Sequence, residues 1–319
     1  MTTLVIGNGF DLDLGMNTRY SDFAKSEYWP KAISSNNFNL QQHLNERKNM
    51  DCWFDLEQCL LDYCRPQRGI SFDQDPFDVK LAGDRTYFNN LREGLVTYLR
   101  FEQEKNLNKN SWASKLLIDL CKDKQFESVF SFNYTDLHHI ANNIGVDLKK
   151  VSVEYVHGTL EDDSIILGVD ESDVTEGYEF LQKAVDINYR STNIISQLAL
   201  SHDVIFFGHS FGTIDIEYFK PYFLHIFNQD IEEDQKHPSI TIFTYNEASR
   251  IQILKHIHNM GINRQRLFNL CDFRIFRTDG SDNIRIDAFL KSRETERESS
   301  KRISEMLSGH EFFEDDELI

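Results

Sequence analysis

Five short stretches carry most of the side chains that could do chemistry: Gly7-Asn8-Gly9 with Phe10 and Asp11, then Asn133, His157-Gly158, Gly208-His209-Ser210, and Asn246. A glycine pair lets backbone amides approach an anionic ligand, and a turn of that kind leading into a helix makes a phosphate site. The first stretch runs Gly-x-Gly-x5-Gly through Gly15, which departs from the dinucleotide fingerprint. It therefore reads equally as a phosphate loop or as a plain strand-to-helix turn. A histidine titrates near neutrality and suits general base work, yet His157 also fits a turn histidine packed on a sheet. Asn133 and Asn246 read either as ligand-positioning amides or as helix N-caps.

The elements around these residues place them together. Leu4-Val5-Ile6, Ser128 to Phe132, Val151 to Val156, Asp203 to Phe207, Ile240 to Thr244 and Phe273 to Arg277 are short apolar or alternating runs, and each reads as a strand. Ile165 to Gly168 reads as a further short strand. Helical periodicity follows in segments to about 144, over roughly 173–200, from Asp215 to about Asn228, and to Met260. Strands alternating with helices predict an α/β fold with a mainly parallel, Rossmann-like sheet and helices on both faces. Ligands bind outside the carboxyl ends of such strands, and each of the five stretches directly follows one.

Between the first two strands lies a long stretch of helical period, including Asp51 to Leu61, Arg92 to Phe101 and Trp112 to Leu120. Pro66 to Gly83 reads as a loop between them. The expected organisation is a nucleotide-binding core from 1–15 and 126–290, a helical insertion or cap over 16–125, and a charged helix with an acidic tail over 291–319. Asp55 and Glu57 fall on the cap, where they either face the ligand or form a solvated helix face.

Bulk properties narrow the function. With 34 basic against 52 acidic residues, the net charge of −18 opposes nucleic-acid binding. The five cysteines make no C-x-x-C pair, so reduced core thiols are expected and no structural zinc is implied. There is no leader pattern and no apolar run of bilayer length, which predicts a cytoplasmic protein without a membrane partner.

Gly208-His209-Ser210-Phe211-Gly212 also matches the Gly-x-Ser-x-Gly nucleophile elbow between a strand and a helix. A serine hydrolase would add a later acid and histidine; of the downstream histidines, His256 and His258 fall within a helix, His237 lies before a strand and His310 lies in the acidic tail, so none stands where a triad would place it. A third reading is a nucleotide sensor that acts through a partner without catalysis.

Taken in order, Gly7-Asn8-Gly9-Phe10-Asp11-Leu12, Thr18-x-Tyr20-x-Asp22-Phe23, Trp53-x-Asp55-Leu56-Glu57, Phe132-Asn133-Tyr134-Thr135, His157-Gly158 and Gly208-His209-Ser210-Phe211-Gly212-x-x-Asp215 resemble the AbiH-like family of phage abortive-infection proteins. More distantly, the pattern is similar to sirtuin-like NAD-binding proteins. That resemblance implies NAD as substrate or ligand, Asn133 and His157 as catalytic residues, and Gly7, Asn8, Gly9, Phe10, Asp11, Gly208, His209, Ser210 and Asn246 as dinucleotide contacts. It implies no metal. Met16-Asn17 stands where the sirtuin first loop has Ile-Pro, no arginine follows Phe23, and the paired zinc cysteines are absent. The implied reaction is thus hydrolysis of NAD to nicotinamide and ADP-ribose, not deacylation. The partners it admits are the dinucleotide, a second copy of the chain, or a phage-derived trigger.

Overall fold

A computed structural model describes residues 1–31, 40–50, 54–65, 74–170, 174–212, 215–228 and 238–310. Six parallel strands, β1 (Thr2–Ile6), β2 (Phe126–Ser131), β3 (Ser152–Tyr155), β4 (Asp203–Phe207), β5 (Ser239–Thr244) and β6 (Asp272–Arg277), form one sheet in the order β3-β2-β1-β4-β5-β6. This is a Rossmann-like order, with its reversal between β1 and β4.

Alternate residues of each strand enter different cores, as a sheet covered on both faces requires. Leu4, Ile6, Val129, Ile205, Phe207 and Phe243 pack on one face with α1 (Asn8–Asp13), α6 (Trp112–Leu120), α7 (Leu137–Ile144) and α12 (Asn283–His310). Val5, Phe130, Val204, Phe206, Ile240 and Ile242 pack on the other with α8 (Ile194–Leu200), α9 (Ile216–Asn228), α10 (Glu247–Asn259) and α11 (Arg264–Leu270).

Four further helices lie between β1 and β2: α2 (Tyr20–Phe23), α3 (Leu40–Met50), α4 (Leu56–Cys64) and α5 (Gln74–Gln103). Their apolar faces share a separate core, which Leu160, Ile165, Leu167, Val169 and Leu181 complete from the stretch after β3. α6 instead packs on the sheet. The insertion therefore has two packing allegiances.

Three expectations are corrected. Residues 74–83 are not loop but the start of the 30-residue helix α5. Pro76 falls in its first turn, where the missing N–H removes no intrahelical bond, and Gly83 is tolerated there at about 1 kcal/mol. Residues 66–73, like Asp51 to Trp53, lie outside the described residues. Ile165 to Gly168 is not a strand: its apolar residues are buried under the cap, and Ile166 N–H bonds the His157 carbonyl at 2.9 Å. Over 173–200 the only α-helix among the described residues is α8; two 3-10 turns, Glu179–Leu181 and Lys183–Val185, replace the expected helix. That chain is held instead by Val169 N–H to Leu181 O and Lys183 N–H to Val169 O, at 2.8 and 2.9 Å.

At the strand-order reversal the two glycine turns press backbone on backbone. A Cβ on Gly208, whose φ is +67°, would sit 2.4 Å from the Gly9 carbonyl carbon, and one on Gly9 would sit 2.5 Å from Gly208 Cα. Gly208→Ala is therefore expected to cost on the order of 3 kcal/mol, from left-handed strain and overpacking together. Urea unfolding would read this as a lower midpoint at unchanged slope.

Candidate functional site

The carboxyl ends of β3 and β4 converge on one buried polar cluster, against Phe132 from the end of β2. β3 delivers His157, which is 7% exposed, and β4 delivers His209, 3% exposed. Between them stands Asp215, just before α9: its Oδ1 lies 3.3 Å from His157 Nε2 and its Oδ2 lies 3.3 Å from His209 Nε2. The Phe132 ring meets both imidazoles edge-on, at 5.5 Å from His157 and 4.6 Å from His209.

The protonation pattern follows from the partners. Phe211 N–H donates to His209 Nδ1 at 3.0 Å, so that nitrogen is unprotonated and the proton sits on Nε2, toward Asp215. Burial alone would raise the Asp215 carboxyl, but hydrogen bonds from His157 and His209 outweigh it and hold the group well below the usual carboxylate range. With Nε2–H donated to a charged Asp215, the neutral form of His157 carries its lone pair on Nδ1. No described residue hydrogen-bonds that nitrogen. His157 is thus oriented as a base by a carboxylate, as in a histidine–aspartate dyad.

The first glycine turn is engaged internally. Gly7 N–H bonds Phe207 O, Gly9 N–H bonds Gly208 O, and Phe10 N–H bonds Gly7 O, each at 2.9–3.0 Å. Phe10 points into the sheet core, edge-on to Phe207 at 5.5 Å. Asn8 is exposed and accepts from Thr18 Oγ1. Asp11 is 1% exposed and faces neither solvent nor the crevice; it accepts from Asn133 Nδ2 at 2.8 Å and Thr135 Oγ1 at 2.9 Å. Asn133 Nδ2 also donates to Gly7 O at 3.1 Å, so this amide clamps the β1 turn to the β2 turn. Asn246 caps α10, its Oδ1 accepting from Ser249 N–H at 3.0 Å. The structure brings His157 and His209 together, and separately Asn133, Gly7 and Asp11.

Burial pushes the Asp11 carboxyl up to about 7, against the opposing hydrogen bonds of Thr135 and Asn133. A carboxyl raised on folding gives stability that is fully present below its unfolded value and declines as pH rises toward its folded value. Wild-type stability relative to Asp11→Asn should therefore fall from about pH 4 to about pH 7 and level off above. The total change is at most about 4 kcal/mol. Melting temperatures of both proteins across pH 4–8 measure it.

Ser210 is exposed, and His256 Nδ1 bonds its carbonyl oxygen at 2.8 Å, not its hydroxyl. Among the described residues no hydrogen bond joins Ser210 Oγ to a histidine. The left-handed residues of this turn are Gly208, with φ +67°, and the buried Phe211, with φ +53°, and not the serine. This geometry gives Ser210 no activating base.

A second ionic cluster ties the cap to the site. Lys183 is 1% exposed, with Nζ 3.0 Å from Glu57 Oε2 on α4 and 3.2 Å from Asp170 Oδ2. Glu57 Oε1 accepts from Tyr20 and Tyr134 hydroxyls at 3.1 and 3.3 Å. Burial would lower the Lys183 ammonium, but Glu57 and then Asp170 overcome this and hold it charged, above its usual range. Asp55 caps α4 by accepting from Gln58 N–H at 3.1 Å. Neither cap acid forms a solvated helix face.

A comparison with protein families matches residues 3–233 to the family described as Bacteriophage abortive infection AbiH. The chain belongs to the AbiH family. The match runs from β1 past α9, so it includes both histidines, Asp215 and the cap of this AbiH chain. No curated protein is similar enough to be matched to it.

Asp215 and Lys183 were not singled out among the sequence candidates. Asp215 closes the Gly-His-Ser-Phe-Gly-x-x-Asp motif, which was the available signal; Lys183 had none. Among the described residues no group of three or more His, Cys, Asp or Glu side chains is arranged to hold a metal ion. No described helix is long and apolar enough to cross a membrane. Cys59, Cys64, Cys121 and Cys271 form no disulfide.

Proposed function

We propose that this AbiH-family chain acts in phage defence by binding a nicotinamide dinucleotide in the cytoplasm and hydrolysing it to nicotinamide and ADP-ribose. The observation that carries the reading is His157, held on the charged Asp215 with no partner for Nδ1 among the described residues, and linked through Asp215 to His209 at the strand-order reversal of a Rossmann-like sheet. The sirtuin-like sequence pattern supports it, with Asn133 and His157 following β2 and β3.

The chemistry suits these groups. The nicotinamide leaving group is already cationic, so its departure calls for no general acid. A neutral imidazole assists by taking a proton from the attacking water or a ribose hydroxyl. Asn133 contributes by fixing the turn that carries Gly7 and Asp11, and the ligand lies along the carboxyl edge with the exposed Asn8 and Ser210 on its rim and the buried His209 behind it.

A thermal-shift panel of NAD, ADP-ribose, ATP and guanine nucleotides tests the ligand class. The wild-type protein should be stabilised by NAD and ADP-ribose over the other nucleotides. The His157→Ala variant should keep stabilisation by ADP-ribose, because the base acts at the bond and not on the rest of the ligand. Equal stabilisation by all four nucleotides, or by none, would remove the dinucleotide reading.

A further inference from the structure

We propose that Asp170 and Tyr218 form a seat for a cationic aromatic ring beside His157, so that the site selects the oxidised over the reduced nicotinamide dinucleotide. This inference rests on the dinucleotide reading above and specifies which residues hold the ring to be released.

Tyr218 lies one helical turn beyond Asp215, on α9, and is half-buried. Its ring centroid is 6.5 Å from that of His157, at an interplanar angle of 74°, and 5.5 Å from that of Phe132. The aromatic wall of the site therefore runs from Phe132 past His157 to Tyr218. Burial, followed by the charge of Asp170, pushes the Tyr218 phenol up to about 12. It stays a neutral ring at working pH and can offer its face to a cation.

Charge around this wall is unbalanced. Among the described residues Lys183 is the one lysine or arginine of the cluster, against Glu57, Asp170 and Asp215. Glu57 has both oxygens engaged, by Lys183 on one side and two tyrosine hydroxyls on the other. Asp215 spends both of its oxygens on histidines. Asp170 uses only Oδ2 among the described residues, and its side chain remains 32% exposed, against 11% for Glu57. It is the carboxylate of the cluster with an oxygen to spare and access to solvent. A negative excess beside a neutral aromatic face favours a planar cation over its neutral counterpart. Oxidised nicotinamide is such a cation, and the dihydronicotinamide ring of the reduced form is neutral.

The positive charge moves from the pyridinium toward the ribose during cleavage, so this seat acts in recognition. It stabilises the bound substrate more than the transition state, so its loss should raise KM without lowering kcat.

Equilibrium titration of the full chain with NADH and with a non-cleavable carbocyclic analogue of oxidised NAD tests the seat. Wild type should bind the oxidised analogue about tenfold tighter than NADH. Asp170→Asn and Tyr218→Leu should each bring the two ligands within about threefold, by weakening the oxidised analogue alone. Asparagine can still accept from Lys183, and Tyr218 stands outside the ion pair, so the second variant carries the test if the first fails to fold. Equal binding of both ligands by wild type, or undiminished selectivity in folded variants, overturns the seat and leaves the dinucleotide reading standing. Failure of wild type to bind either ligand overturns both.

Discussion

Asp215→Asn should lower the rate of NAD cleavage by about 10³–10⁴ while leaving KM and folding largely intact, in line with loss of the aspartate from a histidine–aspartate dyad. Phe211 N–H occupies His209 Nδ1, so His209 must keep its proton on Nε2. The asparagine must then offer its oxygen to His209 and its NH₂ to His157, at the positions where the aspartate oxygens lie 3.3 Å from each ring. His157 Nε2 becomes an acceptor, and its proton moves to Nδ1. That is the nitrogen required to take a proton from substrate or water. A side chain of the same shape thus removes the base by reversing a tautomer. Release of nicotinamide followed by chromatography measures the effect, with the melting temperature as the control for folding.

Lys183→Met is expected to destabilise the fold by about 3–5 kcal/mol. It would strand Glu57 with only the Tyr20 and Tyr134 hydroxyls and remove an ionic tie from α4 to the segment after β3. Removing one partner of a buried pair leaves an uncompensated charge, whereas removing both is often close to neutral. Lys183→Met with Glu57→Gln should therefore recover a large part of the loss. Urea unfolding of wild type, both single variants and the double variant gives the coupling directly. Coupling near zero would mean that the pair does not hold the cap.

The sheet was legible because each strand is a short apolar or alternating run bounded by turn residues. Trp112 to Leu120 was read with its observed bounds, since its apolar residues recur at helical spacing between a serine cap and a polar turn. Tertiary packing hid the rest. Ile165 to Leu167 looks like a strand because it is buried, yet it is buried under the cap. α5 runs through Pro76 and Gly83 because its apolar residues from Tyr87 to Leu99 pack into that same core.

The candidate site divides the same way. The glycines after β1 and β4 signal a close approach, but the partner approached is the other turn. The N-cap reading describes Asn246 in the structure. Asn133 and Asp11 are far apart in sequence and form one buried hydrogen-bonded pair. Asp215 is one acidic residue among 52, marked in the sequence by its place at the end of the Gly-His-Ser-Phe-Gly-x-x-Asp motif; its role shows where two imidazoles from different strands meet it. Lys183 lies in a stretch with helical composition, and the acids that hold it come from α4 and from the segment after β3.

The most direct test of the central claim is a product assay on purified protein incubated with NAD, alone and with phage lysate. Wild type should release nicotinamide and ADP-ribose in equal amounts in at least one of the two conditions, and His157→Ala should release neither. Intact NAD in both conditions, or equal release by wild type and His157→Ala, would contradict a hydrolase built on His157 and Asp215.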